Sequence, residues 1–265
     1  MNVRRWVAVV ILIGAAGVVA SDPGEPEPGP TSDEDLVAVV ETVEDLPCIG
    51  EGCRNPVHPV PGPDEDCAQS SAYLQVRPVG RKTTAAINRE WRRLETWLKE
   101  NAPLTYADLG EPATPEQIAT AENVMGRRFP GELRASLLRH NGGGMSFFGH
   151  PLLPADRIAA TWTQFCLADR KQDADPRRQG WDGQMIPFAT DGRIGHLVLD
   201  SDGHDIGEFE FNGWMTFVPS SMPGPSPTYL WVLRTTVDTL RKGGRIGPWE
   251  PKVNGGRLVW EFHES

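Results

Sequence analysis

Four of the six histidines in this 265-residue chain are the first side chains to consider as metal ligands or acid–base groups. They are His140, His150, His196 and His204. No two of them have the i, i+4 spacing of metal ligands on one helix face. His140 ends a helical pattern, where a cationic cap is favourable, and His150 precedes Pro151 in an expected turn. We therefore predict no metal site.

The segment 200–205 reads Asp-Ser-Asp-Gly-His-Asp and has the alternating carboxylates of a calcium loop. Its glycine is misplaced, however, and the twelfth position is Phe211 rather than glutamate. Asp and Gly also favour tight turns between strands. The segment therefore predicts a hairpin turn and no bound cation.

Candidate nucleophiles lack the surroundings that would activate them. Ser136 and Ser146 lie in no Gly-x-Ser-x-Gly context, and Cys166 has no evident base nearby in sequence. Residues 142–144 are three glycines that follow a helical pattern, and a helix C-terminus repels anions. We interpret them as a flexible loop rather than a phosphate cradle. The sequence predicts no enzyme and no cofactor.

The four cysteines, Cys48, Cys53, Cys67 and Cys166, allow three disulfide connectivities. The simplest pairs Cys48 with Cys53 and Cys67 with Cys166. The second bond would close a loop of about 100 residues, worth about 4.7 kcal/mol if unstrained. A buried, inert Cys166 is the alternative. Zinc is disfavoured because no second Cys/His pair follows at similar spacing.

The net charge of −10 is concentrated in one segment. Residues 21–80 carry 13 acidic and 2 basic side chains, whereas residues 81–265 carry 23 acidic and 22 basic ones. Residues 21–80 also hold 10 of the 24 prolines, and such sequence cannot bury enough apolar surface to offset the entropy of ordering. Because nucleic-acid binding needs a basic excess, the nearly neutral remainder makes nucleic acid an unexpected partner.

The first twenty residues resemble a targeting segment. Arg4 and Arg5 precede an uncharged apolar run of 14 residues, and small residues end at Ala20. Fourteen residues are short for a membrane span, which needs about 20. We predict a cleaved signal at 1–20 and a secreted or extracytoplasmic protein. An uncleaved anchor at residues 6–20 is the alternative and would be the protein's only link to a membrane.

The region after the spacer predicts three helices in succession. Ile87, Trp91, Leu94 and Leu98 form one apolar helical face. Thr114, Pro115 and Gln117 form a capping box that starts a second helix, which Gly126 ends. A third helix is predicted over residues 130–140, with Leu133, Leu137 and Leu138 directed inward.

Strand patterns follow, with two helices among them. A short strand is predicted at 145–148, a helix at 155–168, strands at 185–189, 195–200, 205–211 and 214–218, a helix at 228–240 and a strand at 257–262. Helices at both ends of an antiparallel meander are typical of an α+β fold with an antiparallel or mixed sheet. The predicted organisation is 1–20 signal or anchor, 21–82 disordered acidic spacer and 83–265 folded domain.

The chain contains nine tryptophans, and several fall near predicted loops. Exposed tryptophan often anchors a protein interface, and loops on a rigid scaffold commonly carry recognition. The loop at 172–183 and the turn at 191–193 are therefore candidate partner contacts. The residues assigned to this role are Trp181, Asp182, Asp191, Arg193 and Trp214.

A family resemblance covers about residues 85–262. It depends on the order and spacing of several motifs: residues 112–118, Pro-Ala-Thr-Pro-Glu-Gln-Ile; residues 129–133, Phe-Pro-Gly-Glu-Leu; residues 137–142, Leu-Leu-Arg-His-Asn-Gly; Ile186-Pro-Phe-Ala before Asp191-Gly192; and Leu197-Val-Leu-Asp. Together they resemble the SUKH superfamily, the Smi/Knr-type cell wall assembly regulator domain, in its actinobacterial form.

The resemblance implies a non-enzymatic α+β domain that binds another protein. In bacteria the superfamily is associated with immunity to polymorphic toxins by direct binding, and in fungi with cell-wall signalling scaffolds. We therefore expect an immunity or interaction protein that binds a toxin-like partner stoichiometrically. The alternative is an envelope-associated scaffold or regulator of cell-wall assembly. The leader and acidic spacer are atypical of a cytoplasmic immunity protein and favour a partner met outside the cytoplasm or at the membrane.

Overall fold

The computed structural model describes residues 65–68, 75–168, 180–193, 195–210, 213, 215–217 and 227–264. Within these ranges the chain forms six α-helices and eight short strands. Several predictions fall outside the described residues: the targeting segment, most of the acidic spacer, Cys48, Cys53 and Trp214.

Helix α1 (Arg81–Asn101) buries the apolar face that the sequence predicts. Ile87, Trp91, Leu94 and Leu98 are fully inaccessible to solvent. The helix begins two residues before the predicted domain start at Thr83. Pro103 then occupies the first turn of α2 (Pro103–Ala107), where proline removes no intrahelical hydrogen bond.

Helix α3 (Pro115–Met125) has the predicted capping box. The Gln117 amide N–H donates to Thr114 Oγ1, and the Thr114 amide N–H donates to Gln117 Oε1. Gly126 ends the helix in the left-handed conformation, with φ of 66°. Helix α4 (Gly131–Leu137) begins one residue later and ends three residues earlier than predicted. It ends early because a tighter turn from Leu138 carries the chain into the glycine segment.

The three consecutive glycines are a site of close backbone packing, and the flexible-loop interpretation is wrong. Gly143 has φ of 102° and pairs with Leu109 in an isolated antiparallel bridge. A Cβ at Gly143 would lie 2.3 Å from the Gly110 nitrogen. A side chain cannot fit at that distance, so glycine is required here for steric reasons.

Two short strands and a helix follow. Strands β1 (Ser146–Phe147) and β2 (His150–Pro151) pair antiparallel, so His150 lies in a strand rather than in the predicted turn. Helix α5 (Ala155–Ala168) has the predicted bounds.

A disulfide joins α5 to a segment assigned to the spacer. Cys67 and Cys166 are bonded with an S–S distance of 2.03 Å, as in the simplest connectivity considered. Cys67 ends a short 3-10 helix, Glu65–Cys67, and the Asp66 carboxylate accepts from Arg127 at 2.9 Å. Arg128 also donates to the Gln75 carbonyl. Residues 65–68 and 75–80 therefore differ from the disordered spacer predicted for 21–82, because covalent and polar contacts fix them to the domain.

The main sheet is a four-stranded antiparallel meander in the order β3-β4-β5-β6. Its strands are β3 (Met185–Thr190), β4 (Gly195–Asp200), β5 (Ile206–Glu210) and β6 (Met215–Thr216). In the β4–β5 register, Gly195 lies opposite Glu210, His196 opposite Phe209 and Leu197 opposite Glu208. Because side chains alternate between faces, Gly195, Leu197, Glu208 and Glu210 share one face, and His196 and Phe209 share the other.

Helix α6 (Tyr229–Lys242) leads into a C-terminal hairpin of β7 (Trp249–Asn254) and β8 (Arg257–Phe262). The sequence predicted β8 but not β7. The core is continuous across helices and sheet and includes Trp91, Trp162, Phe188 and Val232. The α+β fold class is confirmed. Among the described residues, no helix combines the length and apolar character needed to cross a membrane.

Candidate functional site

Two of the predicted partner contacts, Trp181 and Asp182, are buried. Trp181 is 2% exposed, and its ring lies 4.7 Å from that of Phe165 and 5.0 Å from that of Phe209. Asp182 is 7% exposed and accepts a hydrogen bond from the Gln184 amide at 2.8 Å. These side chains have no surface to offer a partner in this structure, so their assignment as partner contacts is corrected.

The predicted contacts Asp191 and Arg193 lie in the turn between β3 and β4. Asp191 Oδ1 accepts from the Arg193 amide at 2.8 Å and from the Gly195 amide at 3.0 Å. Arg193 is exposed, whereas Asp191 is half-buried. The structure places Asp191, but not Arg193, on the wall of a concavity.

This concavity, which we call the hairpin concavity, lies between the β4–β5 face and the C-terminal hairpin and has a volume of about 950 Å³. The sheet contributes Gly195, Glu208 and Glu210, and the hairpin contributes Trp249, Phe262 and Glu264. His150 and Asp191 line it from β2 and the β3–β4 turn. The space is large enough for a side chain and part of the backbone that carries it.

His150 is the most buried polar side chain of the concavity, at 7% exposed. Its Nδ1–H donates to the Phe148 carbonyl at 2.8 Å, and its ring meets Trp249 edge-on at 6.3 Å. Burial lowers the pKa of His150, although the Phe148 hydrogen bond and the Asp191 charge act in the opposite direction. The imidazole is therefore neutral near pH 7.

Gly195 explains why this ring can reach the sheet. A Cβ at Gly195 would lie 2.9 Å from His150 Nε2 and 3.4 Å from Asp191 Oδ2. The missing side chain thus leaves a gap on the β4–β5 face, and the imidazole edge and the carboxylate border that gap. Glu210 lies directly opposite Gly195 on β5.

His196 also lines the concavity, beside His150. Its backbone register places it with Phe209, and its ring meets Phe165 of α5 edge-on at 4.8 Å. Its Nδ1 is buried with no hydrogen-bond partner among the described residues. Burial lowers the pKa of His196 to about 4, partly opposed by Asp191 and reinforced by His150. Its ring belongs to an aromatic packing layer.

The carboxylates of the concavity outnumber its cations. Asp191, Glu208, Glu210 and Glu264 line it. Arg245 also lines it but lies 3.4 Å from Glu250, and His263 lies 2.9 Å from the same carboxylate. Burial raises the pKa of Glu208, and the neighbouring Glu210 raises it further. The described residues provide no ion pair for Glu208, so the concavity has an acidic character.

Two other groups that the sequence offered as metal ligands, the 200–205 segment and His140, make hydrogen bonds within the fold. Asp200 Oδ1 accepts from the Asp202 and Gly203 amides, which is the hairpin turn predicted there. His140 contacts Glu95 at 2.8 Å and the Gly110 carbonyl at 3.0 Å. In the described part of the chain, no group of three or more His, Cys, Asp or Glu is placed to hold a metal ion.

A second charged region covers the α1–α6 face, defined by Arg89, Arg92, Arg93, Arg234 and Arg241 around Glu90 and Asp238. Glu90 is 2% exposed and pairs with Arg89 at 3.1 Å, with Arg93 and with Arg234 at 3.7 Å. Arg93 also donates to Asp238 at 2.5 Å. Burial acts to raise the pKa of Glu90, but hydrogen bonds from Arg93 and Arg89 outweigh it and lower the pKa.

Sequence reasoning missed His150, Glu208, Trp249 and Phe262 as members of one site. One signal was present: Ile206, Glu208 and Glu210 alternate on β5, so an apolar face gives way to two carboxylates toward the strand end. The hairpin that closes the site over that face is a long-range contact with no local signal.

Comparison with known proteins finds a family that part of the chain matches. Residues 112–222 match the SMI1 / KNR4 family (SUKH-1). A KNR4/SMI1 homolog of Eremothecium gossypii is 40% identical over 52 residues, covering 20% of this chain and 8% of that protein. A KNR4/SMI1 homolog of Kluyveromyces lactis is 34% identical over 85 residues, covering 27% of this chain and 16% of that protein. The chain thus spans less than a fifth of these relatives in the matched regions, and the predicted resemblance to the SUKH superfamily is confirmed.

Proposed function

We propose that this chain, which carries a domain of the SMI1 / KNR4 family (SUKH-1) in residues 112–222, is a non-enzymatic module that binds another protein stoichiometrically. The hairpin concavity is the observation that carries this proposal. It combines exposed aromatic surface with polar groups on a rigid sheet and hairpin, which is the composition of a recognition surface.

The chemistry of the concavity supports binding better than catalysis. The His150 Nδ1–H is held by a backbone carbonyl, whereas a triad base is oriented by a carboxylate. Among the described residues that line the concavity there is no Ser, Thr or Cys to serve as a nucleophile. No step of covalent catalysis follows from this arrangement.

Two classes of protein partner remain candidates. The relatives are KNR4/SMI1 homologs of two yeasts, which favours the envelope-associated scaffold or cell-wall regulator. A toxin-like partner is the second candidate and follows from the family's bacterial members. The Cys67–Cys166 disulfide supports an oxidising compartment and hence a secreted or membrane-anchored protein for either partner.

Affinity capture followed by mass measurement tests the proposal. The full chain, purified under oxidising conditions, serves as bait for extracts of the source cells and their relatives. We expect one protein to co-elute in a complex whose mass, by light scattering, corresponds to a fixed small-integer ratio. A bacterial toxin or an envelope protein in that complex would decide between the two partner classes.

Turnover assays complete the test. A function of another class, a hydrolase acting on wall material, would need a pair of carboxylates, and Asp191 and Glu208 are the described carboxylates to examine. We expect no release of soluble fragments from purified cell wall by the wild-type chain. Release that Glu208→Gln abolishes would replace the binding proposal with an enzymatic one.

A further inference from the structure

A second recess lies beside the start of α1, and its charge is opposite to that of the hairpin concavity. It has a volume of about 470 Å³ and lies between the 77–80 segment, the start of α4 and the β4–β5 turn. Three arginines line it, Arg77, Arg128 and Arg134. Among the described residues, no carboxylate lines it and none of its residues lines the hairpin concavity. We call it the arginine recess.

The three guanidinium groups have one carboxylate between them. Glu122 is fully buried and lies 3.1 Å from Arg128 and 3.4 Å from Arg134. The same carboxylate also accepts from the Phe129 amide at 2.9 Å. Arg77 is exposed and has no ion pair within the described part of the chain. Three cations and one carboxylate therefore leave two positive charges in excess at the recess.

Two of these arginines are held in place by the fold. Arg134 is 7% exposed and donates to the Arg77 carbonyl. Arg128 donates to the Gln75 carbonyl at 2.5 Å as well as to Glu122. A guanidinium that is already fixed loses little rotamer entropy when it binds an anion. The recess is therefore organised before any ligand enters it.

The first turn of α1 adds positive charge where the helix itself does not favour it. The helix begins with Arg81 and Lys82, its first turn has no acidic residue, and no side chain caps it at Gly80. Both cations are exposed and without an ion pair among the described residues. Cations at a helix N-terminus oppose the helix dipole, and choices that work against stability are expected at functional sites. Because Gly80 lines the recess, a bound anion would offset the dipole and both cations.

The remaining wall indicates which anion fits. Ser201 and His204 bring a hydroxyl and an imidazole from the β4–β5 turn, and Pro78, Val79 and Pro130 form an apolar rim. A phosphate monoester carries about two negative charges at neutral pH, which matches the excess, and three oxygens that accept from several donors at once. A carboxylate carries one charge and two oxygens. The volume also accommodates the group to which the phosphate is attached.

We propose that the arginine recess binds the phosphate monoester group of a small molecule, with Arg77, Arg128 and Arg134 as its counter-charges and Ser201 as a hydroxyl donor. The group attached to the phosphate lies along the apolar rim. This site is separate from the hairpin concavity, so the inference goes beyond the proposed protein-binding function and does not depend on it.

Titration of the full chain with phenyl phosphate, followed by NMR at neutral pH and low salt, tests the site directly. We expect saturable shifts of the Gly80, Gly131 and Ser201 amide signals, with one site per chain. Phenyl sulfate, which has a similar shape but one charge, should bind about tenfold more weakly. Inorganic phosphate should bind several-fold more weakly than phenyl phosphate because it has no group to contact the apolar rim.

Two variants of exposed residues and a matched control separate the site from general charge. Arg77→Gln removes one counter-charge and should weaken phenyl phosphate binding about tenfold, because a hydrogen bond to a charged group is lost. Arg92→Gln removes the same charge from an exposed position on α1 outside the recess and should bind as wild type does. Circular dichroism reports whether each variant is folded.

Lys82→Gln gives a readout that a purely structural residue would not give. It removes a cation from the helix N-terminus, so the melting temperature of the free chain should rise slightly. The same change should weaken phenyl phosphate binding several-fold. Stability and binding therefore move in opposite directions in this variant.

The proposal is wrong if phenyl phosphate causes no saturable shifts, or if phenyl sulfate binds as tightly as phenyl phosphate. Equal losses of affinity in Arg77→Gln and Arg92→Gln would reduce the effect to the general charge of α1. Benzoate that binds more tightly than phenyl phosphate would replace the phosphate group with a carboxylate.

A capped phosphoserine pentapeptide distinguishes a small molecule from a phosphorylated protein as the source of the phosphate. We expect it to bind no more tightly than phenyl phosphate does. Binding at least tenfold tighter would overturn the small-molecule proposal and make a phosphorylated protein segment the ligand.

Discussion

The α1–α6 face and the hairpin concavity both concentrate charge, but they use it in opposite ways. Around Glu90, three arginines surround one buried carboxylate, so the charge is paired within the fold. Glu208 lines an open space without an ion pair among the described residues, and Arg245 of the same concavity lies 3.4 Å from Glu250 instead. Removing the carboxylate from the Glu90 cluster would leave uncompensated charge beside a buried side chain, whereas Glu208 carries its charge with no cation paired to it. The pKa shifts agree, since that of Glu90 is lowered and that of Glu208 is raised.

The disulfide gives the largest expected effect. Replacing both Cys67 and Cys166 with alanine removes a link between residues 99 apart, and we expect a loss of about 4 kcal/mol in the free energy of unfolding. Guanidinium denaturation measures it. Because Phe165 packs on His196, the NMR signals of the concavity should shift while those of the α1–α6 face stay unchanged. Equal shifts in both regions would contradict the expectation that the disulfide acts on the concavity and not on the α1–α6 face.

Neutralising one carboxylate in each region tests most directly whether the two regions differ in how their charges are paired. Glu90→Gln leaves arginines beside a buried amide, and we expect a loss of about 2 kcal/mol of stability. Glu208→Gln should leave stability unchanged or raise it by less than about 1 kcal/mol, because a raised carboxyl pKa means that ionisation costs stability at neutral pH. Urea denaturation at pH 7 measures the free energy of unfolding of both variants. A similar loss of stability in the two variants would contradict the proposed difference between the regions.

Acid should weaken the two regions in different pH windows. The folded-state pKa of His196 is about 4, below its ordinary value of 6.5, so the unfolded chain binds more protons between these values. Stability is therefore present above pH 6.5 and is lost as pH falls toward 4, by about 1 kcal/mol between pH 7 and 5 after allowance for partial exposure.

A His196→Asn variant provides the control for that window. It should flatten the dependence of the melting temperature on pH between 7 and 5. The pKa of the Glu90 carboxyl is lowered from its ordinary value of 4.5, so its contribution to folding stability is lost only as pH falls below 4.5. A variant that keeps the wild-type slope above pH 5 would assign the effect to another group.

An exposed charge pair on the α1–α6 face should give the smallest effect. Lys242 lies 3.7 Å from Asp238 at i, i+4 spacing, and its side chain is 76% exposed. We expect Lys242→Ala to cost about 0.3 kcal/mol, and less in high salt. The NMR signals of the hairpin concavity should be unchanged in this variant. A measurable shift of those signals would show that the two regions are coupled.

Local signals explain which elements were predictable. The capping box at Thr114 and Gln117, and the strand pattern from Gly195 to Asp200, depend on neighbouring residues and were correct. Strand β7 was missed because Pro251 interrupts it and its partner, β8, lies beyond the glycine turn at 255–256. A strand that forms only through pairing has little signal of its own.

The candidate site was less predictable because it depends on contacts between distant segments. Trp181 was expected at a surface on account of its loop, yet Phe165 and Phe209 enclose it from two other elements. His150 gains its role only when β2 crosses the gap left by Gly195. The composition of β5 indicated exposed carboxylates, but neither the hairpin wall nor the His150 ring could be placed without the tertiary fold.

The packing of Gly143 against Gly110 has a consequence for how relatives of this protein are compared. A position that admits no Cβ is expected to stay unchanged through divergence, whatever the protein binds. A ranking of residues by invariance would therefore place Gly143 high for a reason that has nothing to do with a partner. In this fold, invariance at such a glycine reports backbone packing and not recognition.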